Sequence, residues 1–101
     1  MQDVFIDGRI AVKPMPVYQG RRASVKYKGL LAQSGAQKVY MHVGYGQDWS
    51  KSTDVPMSYV GGQCWQSDMT IDGTDRLNFC FRDNGGNWDN NWGMNWSVEI
   101  L

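Results

Sequence analysis

Residues 83–96 read DNGGNWDNNWGMNW: three tryptophans, five asparagines, three glycines and two aspartates, with no lysine or arginine. Gly and Asn at this density favour turns over strands, and a tryptophan in a turn leaves a large apolar ring in water unless something covers it. The ligand that suits this set is a sugar. A pyranose has flat apolar faces that stack on an indole, while Asn and Asp satisfy the hydroxyls around its rim. Trp88, Asp89, Asn90, Asn91 and Trp92 are the candidate contacts in this run. Two further candidates stand together earlier in the chain: Trp49, and His42 just before it.

The elements that must position these residues show period-two alternation with almost no helical periodicity. Ala23, Val25 and Tyr27 alternate with Ser24, Lys26 and Lys28, and Val39, Met41 and Val43 with Tyr40, His42 and Gly44. Trp65, Ser67, Met69 and Ile71 form a third inward set, Leu77, Phe79 and Phe81 a fourth, and Trp96, Val98 and Ile100 a fifth. Ile10 and Val12 precede Pro14 and Pro16 and suit an edge or a linker. Each strand has one wet face, the mark of half-buried antiparallel sheet. The expected fold is all-β, an antiparallel two-sheet β-sandwich of immunoglobulin-like type, with a small closed barrel as the alternative. Asp72-Gly73 reads as a tight connection pairing residues 65–71 with 77–81 in a hairpin. Residues 29–37, 44–62 and 83–95 are left as loops, and His42, out of phase with its apolar neighbours, faces away from the core.

The 101 residues suit one domain: residues 1–19 as an amino-terminal strand or extension packed on it, and 20–101 as the sandwich. Net charge is zero, but residues 1–40 carry seven Lys/Arg against two Asp, and residues 41–101 three against eight Asp/Glu. The aromatic loops fall in the acidic part, which disfavours nucleic acid. No apolar stretch is long enough for a helical membrane span. The first ten residues lack the basic and apolar regions of a secretory leader, so a complete chain is expected in the cytoplasm and a module of a secreted enzyme outside the cell. Cys64 and Cys80 fall out of register in the expected hairpin, which predicts two free thiols. Lys26 and Lys28 read as protection of an edge strand, which favours a monomer.

Other chemistries fit less well. A glycosidase needs two carboxylates flanking a cleft, and Asp48 with Asp89 is the one attractive pair, in a domain with little room to enclose a sugar. No nucleophile elbow occurs, so no catalytic residue is expected. No cofactor is expected either. Asp83, Asn84, Asn87, Asp89 and Asn91 offer calcium-like oxygens, with Asp83, Asn87 and Asp89 the weak candidates, but their spacing departs from the EF-hand loop. The alternative to sugar binding is a protein-interaction domain with an aromatic loop patch.

The segments VYMHVGYGQDW and LNFCFRDNGGNWDNNWGMNWSVEI, with the strand at Trp65 between them, resemble carbohydrate-binding module families 25 and 53. These are β-sandwich domains that recognise starch and glycogen. The shared pattern is a strand with apolar residues leading into His, a following loop Trp, an aromatic FxF strand, and a WDNN loop that enters the last strand. The resemblance spans residues 20–101 and implies an α-glucan ligand held on His42, Trp49 and Trp88, with Asn90 and Asn91 beside the second indole. Trp92, directly after that pair, departs from the pattern.

Overall fold

In the computed structural model, which describes residues 8–101, two sheets pack face to face with no closed barrel. The first contains β1 (Ile10–Lys13), β2 (Arg22–Tyr27), β6 (Cys64–Thr70) and β5 (Ser58–Gly61), in that spatial order. The second runs β4 (Ser50–Pro56), β3 (Val39–Tyr45), β7 (Arg76–Asp83) and the two-residue β8 (Trp88–Asp89), with β9 (Trp96–Glu99) also paired to β7. Named strand pairs are all antiparallel, and one parallel bridge, Val17 to Ile100, ties the amino-terminal segment to the last strand. The two-sheet sandwich expected from the alternation is the fold observed.

The inward phase of each strand carries the core. Val25, Tyr27, Met41, Val43, Leu77, Phe79 and Phe81 are fully buried, and Trp65 and Trp96 nearly so. Tyr27 from the first sheet stacks on Phe81 from the second at 3.9 Å between ring centroids. Trp96 meets Phe81 edge-on at 5.4 Å. This aromatic column joins the two layers by the large apolar area each ring removes from water.

Four features differ from the sequence reading, besides β8, which lies within the 83–95 run expected to be a loop and pairs with β7. β6 and β7 do not form a hairpin; they lie in different sheets, and Asp72-Gly73 crosses between them. The crossing packs on Tyr45, whose hydroxyl accepts a hydrogen bond from Asp72 N at 3.0 Å. A Cβ at Gly73 would sit on the Tyr45 ring, so glycine is required here for close approach rather than for a tight turn. Gly73→Ala is therefore expected to lower stability by about 1–3 kcal/mol, the cost of overpacking, read as a shifted urea midpoint.

Second, β2 is an interior strand between β1 and β6, so Lys26 and Lys28 guard no edge and the argument drawn from them for a monomer lapses. Third, residues 44–62 contain β4 and β5, whose side chains are almost all exposed. Edge strands wet on both faces show no alternation, which is why the sequence pattern passes over them. Fourth, the loop at 29–37 contains a single helical turn, α1 (Leu30–Gln33). Cys64 and Cys80 are free and buried, as expected, but because they belong to opposite sheets rather than to one hairpin out of register. The expected extension at residues 1–19 falls partly outside the described residues; from residue 10 it contributes β1, paired to β2.

Candidate functional site

Strand register brings the site together on the outer face of the second sheet. His42 on β3 lies opposite Asp54 on β4 and Cys80 on β7. One step along, Tyr40 lies opposite Arg82, and Arg82 is paired in turn with Trp88 on β8. Trp88 and His42 thus become neighbours although 46 positions separate them in the sequence. Their rings meet edge to face at 5.6 Å and 88°.

Trp49 reaches the same histidine from the other side. Its ring lies at 5.7 Å from His42 and within 20° of parallel, so the two indoles are close to perpendicular to one another. The β3–β4 turn places it: Trp49 has φ +52°, a left-handed conformation that a bulky residue adopts at a cost of about 1–3 kcal/mol. The turn is braced by Ser50 Oγ donating to the Tyr45 carbonyl at 3.0 Å and Asn78 Nδ2 donating to that of Gly46 at 2.7 Å. Trp49 packs closely on Gly44, where a Cβ would fall 2.7 Å from a ring carbon and 2.9 Å from the Trp49 Cα. The glycine in VYMHVGY is thus the seat of the indole.

Beside the rings, at the solvent-exposed surface of β3, β4 and β7, is a polar brace that sequence reasoning missed. His42 Nδ1 lies 2.7 Å from Asp54 Oδ1, and Arg82 donates from Nε and Nη2 to Asp54 Oδ2 at 3.0 and 2.8 Å. Arg82 also covers the Tyr40 ring at 4.4 Å. Burial works against the Asp54 charge, but the hydrogen bonds from His42 and Arg82 outweigh it and hold the carboxyl below its usual range. A carboxylate can only accept, so Nδ1 carries the proton and the imidazole presents Nε2 as its second polar atom. No sequence signal marks Asp54, because its pairing with His42 depends on an edge strand without alternation.

This brace carries a pH signature. A carboxyl whose folded-state value is depressed stabilises the fold above its unfolded value of about 4, and the contribution disappears as pH falls through the lower folded value. The melting-temperature gap between wild type and Asp54→Asn is expected near pH 6 and should shrink as pH falls below about 4, closing once the folded-state value is passed. A gap independent of pH would contradict the charged brace.

Cys80 is the cross-strand neighbour of His42 on β7 and is itself buried. Burial, and then the charges of Asp54 and Asp89, push its thiol up to about 11. It is accordingly an unionised, apolar filler rather than a nucleophile.

The loop after β7 is built by its own polar side chains. Asp83 accepts from Gly85 N and Asn87 N through Oδ1 and from Asn87 Nδ2 through Oδ2, each at 2.9 Å. The Asn87 bonds chiefly, with that from Gly85, hold Asp83 below the usual carboxylate range. Further on, Asn95 N donates to the Asn90 carbonyl at 2.7 Å, and Gly93 N donates to Asn90 Oδ1 at 2.9 Å.

Of the residues expected to touch a ligand, His42, Trp49 and Trp88 cluster, and Trp88 is 49% exposed. Asn90 borders Trp88 and is exposed. Two others are engaged within the protein. Asp89 is 7% exposed and accepts from the Tyr27 hydroxyl at 2.5 Å and Leu30 N at 3.1 Å. Asn91 accepts from Arg9 at 2.7 Å and donates to the Asn95 carbonyl at 3.1 Å. Trp92 stands 93% exposed. Asp48, the partner considered for Asp89 in catalysis, lines a separate cavity near Tyr45 and Lys51. Among the described residues no group of three or more His, Cys, Asp or Glu side chains is placed to hold a metal ion.

The family model of the starch/carbohydrate-binding module (family 53) matches residues 23–79, more than half of the chain. The chain belongs to that family. The matched segment runs from β2 into β7 and includes His42, Asp54 and Trp49, whereas the Trp88 loop lies beyond it. Folding joins the two parts of the site. The module is also 30% identical over 95 residues to an alpha-amylase of Clostridium acetobutylicum, an alignment covering 91% of this chain and 12% of the amylase. It therefore corresponds to a small segment of that relative, and as a family 53 module its ligand is a carbohydrate.

Proposed function

We propose that this module binds α-1,4-linked glucans such as starch, glycogen or maltodextrin without catalysing their hydrolysis. The observation that carries the reading is the near-perpendicular pair of indoles on either side of His42. Consecutive glucoses in a curved α-glucan turn their faces through a large angle, and two non-coplanar rings can each meet one. A flat β-1,4 chain needs coplanar rings.

Trp49 and Trp88 stack on sugar faces, while His42 Nε2 and the Asn90 amide, whose Nδ2 has no partner among the described residues, hydrogen-bond hydroxyls. Asp89 and Asn91 act behind them by fixing the loop that carries Trp88. Each stacked ring contributes about 0.5–1.5 kcal/mol beyond its area, so a single site has micromolar to millimolar affinity, about −4 to −8 kcal/mol. Weak sites of this kind serve an attached enzyme by holding it on a polymer with many repeats. The amylase relative suggests such an enzyme, working outside the cell where starch is found. No metal is needed for this mode of binding.

Native electrophoresis tests the reading: the module should be retarded in a gel containing amylopectin relative to a plain gel. Equal migration in both would refute it.

A further inference from the structure

Trp92 lies outside the His42 cluster and is held there by construction. Asn91, Trp92 and Gly93 have φ of +55°, +60° and +85° in succession. The turn is locked by the bonds of Asn90, Asn91 and Asn95 already described and by Met94 N donating to the Asn91 carbonyl at 3.1 Å. Left-handed backbone at a tryptophan is unfavourable, and leaving the indole 93% exposed adds to the cost. A turn serving only to join β8 to β9 gains nothing from this residue.

Beside Trp92 is a cavity of about 340 Å³ lined by Arg9, Leu30, Trp88, Asp89, Asn90 and Trp92. Neither His42 nor Trp49 borders it. Trp88 is the shared element: it meets His42 in the first cluster and forms a wall of the second cavity. The lining combines indole and leucine surface with the Asn90 amide, the mixture of apolar wall and few polar groups typical of small-ligand sites. The Arg9 guanidinium is engaged, bonding Asn91 and covering the Trp96 ring at 5.0 Å, so the cavity is not built around a cation for an anionic ligand.

We propose that this cavity is a second glucosyl subsite, in which Trp92 and the adjoining part of Trp88 hold a further unit of the same α-glucan chain. The proposal rests on the α-glucan reading above and adds that recognition depends on chain length. A short oligosaccharide fills the His42 cluster alone, whereas a longer one also engages Trp92. The continuity of the two sites through Trp88 selects the occupant: a chain leaving the first cluster past Trp88 enters the cavity.

Calorimetric titration of wild type, Trp92→Ala and Trp88→Ala with maltotriose and maltoheptaose provides the test. Longer chains gain affinity from extra binding registers in every protein, so the readout is the ratio of the two affinities compared between proteins. Trp92→Ala should keep wild-type affinity for maltotriose and lose about three- to tenfold for maltoheptaose, less than the loss at Trp88, because Trp92 meets one further unit only whereas Trp88 borders both sites. Trp88→Ala should weaken both. An unchanged ratio in Trp92→Ala would overturn the subsite, whether both affinities stay or both fall. Failure of wild type to bind either sugar would instead overturn the α-glucan reading itself, and this proposal with it.

Discussion

Trp88→Ala is expected to abolish retardation of the module by amylopectin while leaving its melting temperature nearly unchanged. The side chain is half exposed, so truncation removes little core. Its loss takes away one of the two stacking faces and the edge contact that sets one side of His42. A ring that stacks and is covered by sugar accounts for about 2–3 kcal/mol in burial and stacking together. Against a site already weak, a loss of about 30- to 100-fold places binding beyond detection in a gel. Retention of most of the shift would remove Trp88 from the binding surface.

The largest effect on stability is expected from Phe81→Ala. Phe81 is fully buried, stacks on Tyr27 across the sandwich and meets both Phe79 and Trp96 edge-on. Truncation leaves a cavity between the two sheets, with an expected cost of about 3–5 kcal/mol, a large part of the ~5–15 kcal/mol of a small domain. The residue also pairs with Asp89 in the β7–β8 ladder, so the same change should loosen the Trp88 loop. Chemical denaturation followed by tryptophan fluorescence measures the loss. A shift under about 1 kcal/mol would mean that the cavity collapses and that the aromatic column does not join the layers.

The core was legible because half-buried strands mark one face at every second residue. Tyr27, Phe79, Phe81, Trp65 and Trp96 all take the inward positions that their phase assigns. The outward phase of His42 was visible for the same reason. What escaped depends on pairings that leave no local mark. β4 is wet on both faces, so Asp54, which orients His42, carried no pattern. Asp72-Gly73 resembles a hairpin turn, yet its glycine answers to the Tyr45 ring, a residue 28 positions earlier. Lys26 and Lys28 resemble edge protection because a strand's place in a sheet is not written in its own residues.

Within the 83–96 run, composition indicated a loop and tryptophans for a ligand, but it could not divide the labour among the polar groups. Asp89 and Asn91 read as sugar contacts because their chemistry suits hydroxyls. Folding commits that chemistry to Tyr27, Leu30, Arg9 and the Asn95 carbonyl instead.

The angle between the two indoles is the central claim, and the choice between glucans of different shape tests it most directly. Titration of the wild-type module with maltoheptaose and with cellohexaose, followed by calorimetry, compares sugars of the same monomer that differ in linkage and curvature. Saturable binding of maltoheptaose with none detectable for cellohexaose is the predicted result. Equal or tighter binding of cellohexaose would show that the rings do not read the curvature of the chain.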